Sequence, residues 1–391
     1  MSWKTIRADE FCESVRDGTH DTPKPNETGY KLVTGKHVKN GQIDPSDAYY
    51  ISEKDYEKIN ERSLVEQWDV LMSMIGTVGE VAVVKDHPNY AIKNVALFKC
   101  GGSELKGKWL AYYLRSSDAQ GHMSGNQKGS SQQFLSLNQL RSLPIPITDE
   151  RYMQRVVDML STYDDLIENN QKQIKLLEEA AQRLYKEWFI DLRFPGHETT
   201  PIVDGVPEGW KEQSLYQIAD VVMGQSPKSE YYNQVGEGLP FHQGVGSYGN
   251  RFVSDETYST SFTRIAEAGS ILFSVRAPVG RLNLTKNKVV IGRGLAAINH
   301  RRGAQSYLFY LLKEKFFRDD IIGNGSIFAS ISKEELLNQT FLIPIDSLVG
   351  QFNGIAGGID KKIDILSEQI RLLTEARDRL LPKLMSGEIE V

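Results

Sequence analysis

Residues 70–73, VLMS, return as ILFS at 271–274, and each run leads into a glycine-bearing turn, IGTVGE at 75–80 and RAPVGR at 276–281. The correspondence extends over both halves of the chain. Trp3-Lys4 matches Trp210-Lys211, Gly18 falls opposite Gly224, and WLAYYL at 109–114 matches YLFYLL at 307–312. GN at 125–126 matches GN at 323–324, and LPIPI at 143–147 matches FLIPI at 341–345. DDLIENNQKQIKLLEEAAQRL at 164–184 then matches DKKIDILSEQIRLLTEARDRL at 360–380 without a gap. Spacing that drifts by only a few residues marks a tandem duplication, so the fold must be assembled from two similar halves.

Within each half the texture changes once. Strand-like apolar runs broken by Gly, Asn and Pro come first, with one helical stretch near 105–117 and its twin near 304–318. A long segment almost free of Gly and Pro follows, and RFPGHETTPIVDGVPEGW (193–210) separates the halves. The expected order is a globular domain (1–150), a helix (151–192), a linker (193–210), a second globular domain (211–346) and a second helix (347–391). The expected fold class is α+β: two similar mixed α/β globular domains separated by two long helices. Those helices should form an antiparallel coiled coil, giving an internal pseudo-twofold repeat.

Both helices keep a heptad with apolar seams and charged flanks, which is the coiled-coil pattern. Ile167, Asn170, Ile174, Leu177, Ala181 and Leu184 lie on the seam of the first, and Ile363, Leu366, Ile370, Leu373, Arg377 and Leu380 on that of the second. Matching the two polar seam residues, Asn170 with Arg377, sets Ile174 against Leu373, Leu177 against Ile370, Ala181 against Leu366, Leu184 against Ile363 and Ile167 against Leu380. Sliding by one heptad would leave Asn170 against Ile370, at a cost of about 1–3 kcal/mol for an unsatisfied amide. The first register is therefore expected. About 35 helical residues span roughly 50 Å, on the order of one and a half turns of DNA, so such a spacer can serve as a ruler between two half-sites.

Composition removes several function classes. Hydrophobic residues make up 40% and charged residues 25% of the 391 residues, with no apolar run long enough to span a bilayer and no signal-peptide layout at MSWKTIRADEF. A cytoplasmic protein is expected. Two cysteines, Cys12 and Cys100, make no disulfide framework, and the seven histidines lack metal-ligand spacing. A net charge of −5 argues against unaided wrapping of nucleic acid, though not against a local basic face or partners that supply charge. Gly102-x4-Gly107-Lys108 begins a phosphate-binding loop, but Trp109 stands where Ser or Thr should meet Mg²⁺. GVGSYG at 244–249 has dinucleotide-loop spacing without a helix start after it. Neither an Asn-Pro-Pro-aromatic methyltransferase motif nor a helicase set occurs. No catalytic residues and no metal site are expected.

The whole chain resembles the specificity (S) subunits of type I restriction-modification systems. The resemblance is carried by VLMSMIGTVGEVAVV and ILFSVRAPVGRLNL, by the GN…LPIPI and GN…FLIPI domain ends, by LYKEWFIDLRFPG (184–196) and by LLPKLMSGEIEV (380–391). It implies that the globular parts are target recognition domains and the helices spacers. It implies a bipartite, asymmetric double-stranded DNA target. The implied partners are two methyltransferase subunits, which use S-adenosylmethionine to methylate adenine, and motor-nuclease subunits, which use ATP and Mg. No cofactor is implied on this chain.

Direct readout needs Arg, Lys, Asn, Gln or hydroxyl groups on loops that reach base edges. In the first domain the expected DNA contacts are Lys36, His37, Lys39, Asn40, Lys128, Gln132 and Gln133; in the second they are Lys228, Tyr231, Gln243, Tyr248, Arg251, Arg276 and Arg293. Each has a plainer alternative as a solvated loop residue, and His37 also as a capping or turn residue. Two other classes compete: a coiled-coil scaffold carrying protein-binding domains, which would show no sequence-specific DNA shift, and a self-contained DNA-modifying enzyme, which the absent motifs disfavour.

Overall fold

The computed structural model describes residues 3–76, 78–125, 135–316 and 330–391. It divides into two compact units, one of Met1–Asn170 with Gln369–Val391 and one of Gln171–Glu368. Four helices organise them: α1 (Glu104–Arg115), α2 (Glu150–Phe189), α3 (Gln305–Phe316) and α4 (Asp346–Ser386). Each unit takes one segment of α2 and one of α4.

In the first unit, strands β1 (Ser14–Asp17), β2 (Tyr30–Thr34), β3 (Val70–Ser73), β4 (Val81–Val83), β5 (Tyr90–Lys93) and β6 (Val95–Lys99) carry the scaffold. The antiparallel sheet runs β1-β6-β3-β4, and β2 pairs parallel with β5. The second unit has β7 (Ala219–Met223), β8 (Leu239–His242), β9 (Ile271–Ser274), β10 (Leu282–Leu284), β11 (Val289–Ile291) and β12 (Leu295–His300). Its antiparallel sheet runs β7-β12-β9-β10, and β8 pairs parallel with β11. The antiparallel sheet and the parallel pair thus recur in the same order, whereas among the described residues the parallel pair lies in a three-stranded sheet in the first unit and a five-stranded sheet in the second. In both units the first strand closes on the last, Lys4–Arg7 on Pro144–Ile147 and Lys211–Ser214 on Thr340–Ile343.

The central strands β3 and β9 are buried at every position, which explains their unbroken apolar sequences. Helices α1 and α3 are buried nearly all round, from Trp109 to Leu114 and from Tyr307 to Leu312, so they pack between the sheet and the long helices rather than facing water. In the second unit Tyr185, Trp188, Phe189 and Phe352 pack against one another, mostly edge to face, with centroids 5.0–6.1 Å apart, placing the LYKEWF segment in the core. In the first unit Tyr152 Oη donates to the carbonyls of Leu384 (3.0 Å) and Ile389 (2.7 Å) and so seats the end of α4.

Within each unit the long helices run antiparallel, but the expected register does not form. Asn170 donates to Gln369 (3.3 Å), and Arg377 donates to Asp164 (2.6 Å). This is the register one heptad away, and the contacts of Trp188 and Phe189 with Phe352 follow it in the second unit. The physical reason lies beside the seam. The expected pairing joined a guanidinium to a neutral amide, whereas one heptad away it meets the carboxylate of Asp164 in a stronger charge-assisted bond. Asn170 escapes burial against Ile370 because the neighbouring Gln369 reaches it.

Asp164 is a junction: it also accepts from Tyr112 Oη (2.9 Å) and from Arg115 (3.4 Å) on α1. Burial pushes its carboxyl upward, but Arg115 and Arg377 prevail and hold it below its ordinary value of 3.8. A carboxylate with a lowered folded value stabilises above the unfolded value, and that contribution is lost as pH falls through the lowered one. Arg377→Ala is therefore expected to cost about 1–3 kcal/mol at neutral pH. It should also move the acid loss of stability to higher pH; melting curves from pH 3 to 7 check both.

Candidate nucleic-acid interface

The repeated strand-turn is one structure used twice. Ser73, buried at the end of β3, accepts from Glu80 N through Oγ (2.9 Å) and from Gly79 N through its carbonyl (3.0 Å). Ser274 accepts in the same way from Arg281 N (2.8 Å) and Gly280 N (3.0 Å). Gly79 and Gly280 have φ of +93° and +88°, the left-handed backbone that glycine adopts without strain. The tips differ: the exposed residue is Ile75 in one copy and Arg276 in the other.

The paired Gly18 and Gly224 sit where the chain crosses from the antiparallel sheet to the parallel pair. Gly18 N donates to Val95 O and Thr19 N to Ile92 O; Gly224 N donates to Leu295 O and Gln225 N to Ile291 O. A Cβ on Gly18 would lie 2.3 Å from Ile92 O, and one on Gly224 would lie 2.1 Å from Gly292 O. Only glycine permits this approach. It presents the turn from β5 to β6 (Lys93-Asn94) and the turn from β11 to β12 (Gly292-Arg293-Gly294) beside the following loop in each copy.

In the second unit this geometry gathers three of the expected contacts. Val275 N donates to Gly294 O (2.9 Å) and Gly294 N to Gln243 O (3.1 Å), which sets the segments bearing Arg276, Arg293 and Gln243 side by side. Ser226 Oγ accepts from Arg293 N (3.2 Å) and donates to Gln243 Oε1 (2.7 Å), fixing that side chain's orientation. Arg264, which the sequence reading passed over, joins them because its carbonyl accepts from Ile291 N (2.9 Å). Arg264, Arg276 and Arg293 are exposed, and no carboxylate pairs with any of them among the described residues. Neighbouring cations are neutralised: Arg301 by Asp220, Arg302 by Asp346, Lys288 by Glu267 and Lys286 by Asp364. A rim of exposed guanidiniums suits an anionic ligand. Lys228 and Tyr231 are exposed nearby in sequence, Lys228 3.8 Å from Glu230.

The first unit is built on different side chains. Lys93 donates to Thr22 Oγ1, and Asn94 Oδ1 lies 2.8 Å from His20 Nδ1. His20 and Arg62 both pair with the buried Asp17, beside a cleft of about 420 Å³ lined by Thr19, Thr22, Lys58 and Arg62. Carrying Arg293 back through the repeat alignment leads to Lys93-Asn94, a signal the sequence contained; nothing in the sequence singles out Arg264. Lys39 and Asn40 are exposed on a tight Asn-Gly turn with Asn40 at φ +53°, and Lys36 is exposed but paired with Asp47 at 2.8 Å.

Three expected contacts face inward. His37 is buried; its Nδ1 accepts from Thr34 N (2.8 Å) and Nε2 faces Asp47 at 3.1 Å. Burial depresses its pKa, and the ring completes a capping box with Thr34 at the start of a short helical turn. Tyr248 has a buried hydroxyl whose pKa burial raises. Arg251 is buried against the long helices. Lys128, Gln132 and Gln133 lie outside the described residues. Among the described residues no His, Cys, Asp or Glu group could hold a metal ion, and no helix is long and apolar enough to cross a membrane.

Two copies of one mixed α/β scaffold, sharing a pair of long helices and presenting different polar rims, define a two-module recognition protein. Residues 1–179 and 207–369 each match the type I restriction modification DNA specificity domain, and the chain belongs to that family. A Methanocaldococcus jannaschii chain assigned as the specificity subunit of the type I restriction enzyme MjaX is 28% identical, over 100% of this chain and 94% of the relative. The MjaIX specificity subunit of the same organism is 25% identical, over 87% of this chain and 82% of the relative. The crystal structure of an S subunit from M. genitalium has the same fold, with a TM-score of 0.57 at 16% identity over 98% and 96% of the two chains. The chain is thus a DNA-binding, non-catalytic specificity subunit. Its family implies DNA and methyltransferase subunits as partners and no cofactor of its own.

Proposed function

We propose that the chain reads a split, asymmetric DNA target in the cytoplasm, residues 1–150 and 211–346 each recognising one half-site. It recruits two methyltransferase subunits that methylate adenine with S-adenosylmethionine, and motor-nuclease subunits, using ATP and Mg, for restriction. In this reading Gln243, Arg276, Arg293, Lys228 and Tyr231 contact the second half-site, with Arg264 added. Lys36, Lys39 and Asn40 contact the first, as do Lys93, Asn94 and, outside the described residues, Lys128, Gln132 and Gln133. The observation that carries it is the repeated antiparallel sheet and parallel pair, whose connecting turns show Lys93-Asn94 in one copy and Arg293 in the other. One scaffold with two sets of polar side chains suits two different base sequences.

Methylation-sensitive sequencing of DNA from cells expressing the complete system tests this. Two different short motifs separated by a fixed gap are expected; a single contiguous motif would overturn the proposal. The same readout tests the spacer. One heptad inserted after Asn170 and another after Glu368, at the unit boundaries, keeps both seams and adds ~10.5 Å of helix. At ~3.4 Å per base pair the gap should lengthen by roughly three. An active variant with an unchanged gap would show that the helices do not set it.

A further inference from the structure

Asp164 in the first unit and Asp360 in the second occupy the same place in the duplicated helix, and each accepts from the matching tyrosine, Tyr112 (2.9 Å) and Tyr310 (3.1 Å). Their main cations differ in origin. Asp164 takes the guanidinium of Arg377 from α4 at 2.6 Å. The residue that matches Arg377 in the second unit is Ala181, fully buried and unable to supply a charge. There the guanidinium comes from Arg251, on the loop between β8 and β9. Arg251 is 5% exposed, pairs with Asp360 on α4, lies 3.3 Å from Glu178 on α2 and stacks 4.5 Å over the ring of Phe309 on α3.

The loop that delivers Arg251 is held as one lobe. Buried His242 bonds Ser247 Oγ (2.9 Å) near its start and Asp255 (3.1 Å) at its end. Leu284 N donates to Arg251 O (2.9 Å) and Asn283 Nδ2 to Gly249 O (2.8 Å). The next residue after His242 is Gln243, whose carbonyl holds Gly294 of the arginine rim. A short, fully bonded path therefore runs from Asp360 to the side chains assigned above to the second half-site.

We propose that Arg251 is a positioning residue for recognition by the second domain: in place of a helix-borne arginine it straps the rim loop to the helix pair of its unit. In the first unit Arg377 supplies the guanidinium to Asp164 from within the helices instead. This rests on the assignment of Gln243 and Arg293 as DNA contacts.

The test uses the complex with methyltransferase subunits and DNA duplexes carrying the intact target or one scrambled half-site. Arg251→Ala should lower the melting temperature and weaken the contribution of the second half-site on the order of tenfold, leaving the first unchanged. Arg251→Ala with Ala181→Arg rebuilds the first unit's arrangement, using the volume Arg251 leaves. Should that chain fold poorly, Arg251→Met with Asp360→Asn removes both charges instead. In whichever double variant regains the melting temperature, continued loss at the second half-site supports the strap. Recovery of both, or an unaffected second half-site in Arg251→Ala, would overturn it. Gln243→Ala with Arg293→Ala separates the two readings. If that variant binds the second half-site normally, the DNA-contact assignment fails, whatever Arg251 does.

Discussion

Exchanging residues 1–148 for the matching domain of a relative should replace one half-site of the methylated target and leave the other unaltered. The cut falls after the closing strand, Pro144–Ile147, which pairs with Lys4–Arg7, so the donor domain arrives with its own closure intact. Its helix α1 must still donate a tyrosine to Asp164, and the loop after β4 must still place a lysine near Glu168, as Tyr112 and Lys85 do here. The second unit supplies the same two contacts for itself, Tyr310 with Asp360 and Lys286 with Asp364. Each domain thus docks on helix through its own residues. The effect expected is complete: the old half-site lost and the donor's gained. Sequencing that showed both half-sites changing together would mean that the domains do not read independently.

Gly224→Ala should cost roughly 3 kcal/mol, a large value for one methyl group. The added Cβ would sit 2.1 Å from Gly292 O and 2.9 Å from Ile291 O, and backbone cannot rotate away as a side chain can. Relief requires the turn after β11 to move, and with it Arg293 and its N–H bond to Ser226. The second half-site should weaken along with stability, while the first is kept. Gly244→Ala, where nothing lies within 4 Å of the added atom, is the matched control and should be neutral. Thermal denaturation and half-site binding of the two variants decide the matter; an unperturbed Gly224→Ala chain would refute the crossing as the reason for the paired glycines.

Much of the architecture was legible in the residues. A duplicated series of apolar runs has to build the same antiparallel sheet twice, and sustained apolar heptads make long helices, observed as Glu150–Phe189 and as Asp346–Ser386, the latter in spite of its glycines and Pro382. The absence of a complete phosphate loop or methyltransferase motif spoke against catalysis for a similar reason, since such chemistry needs particular residues at particular spacing. Gly18 and Gly224 were visible as a pair, although their purpose was not.

The helix register was not legible, because an apolar heptad seam looks the same after a slip of seven residues. The choice fell to groups off the seam, Asp164 for Arg377 and Gln369 for Asn170. Nor could the residues tell an exposed arginine from a structural one. Arg251 and Arg293 have the same chemistry and both lie in polar loops, yet one is buried between Glu178 and Asp360 and the other is exposed, with no carboxylate beside it among the described residues. Local sequence determines which segments are strand, helix or turn, since periodicity and backbone preference act over a few residues. Which charges meet is decided by chain segments more than a hundred residues apart, Arg251 with Asp360 and Asp164 with Arg377, and only the folded chain brings them within reach.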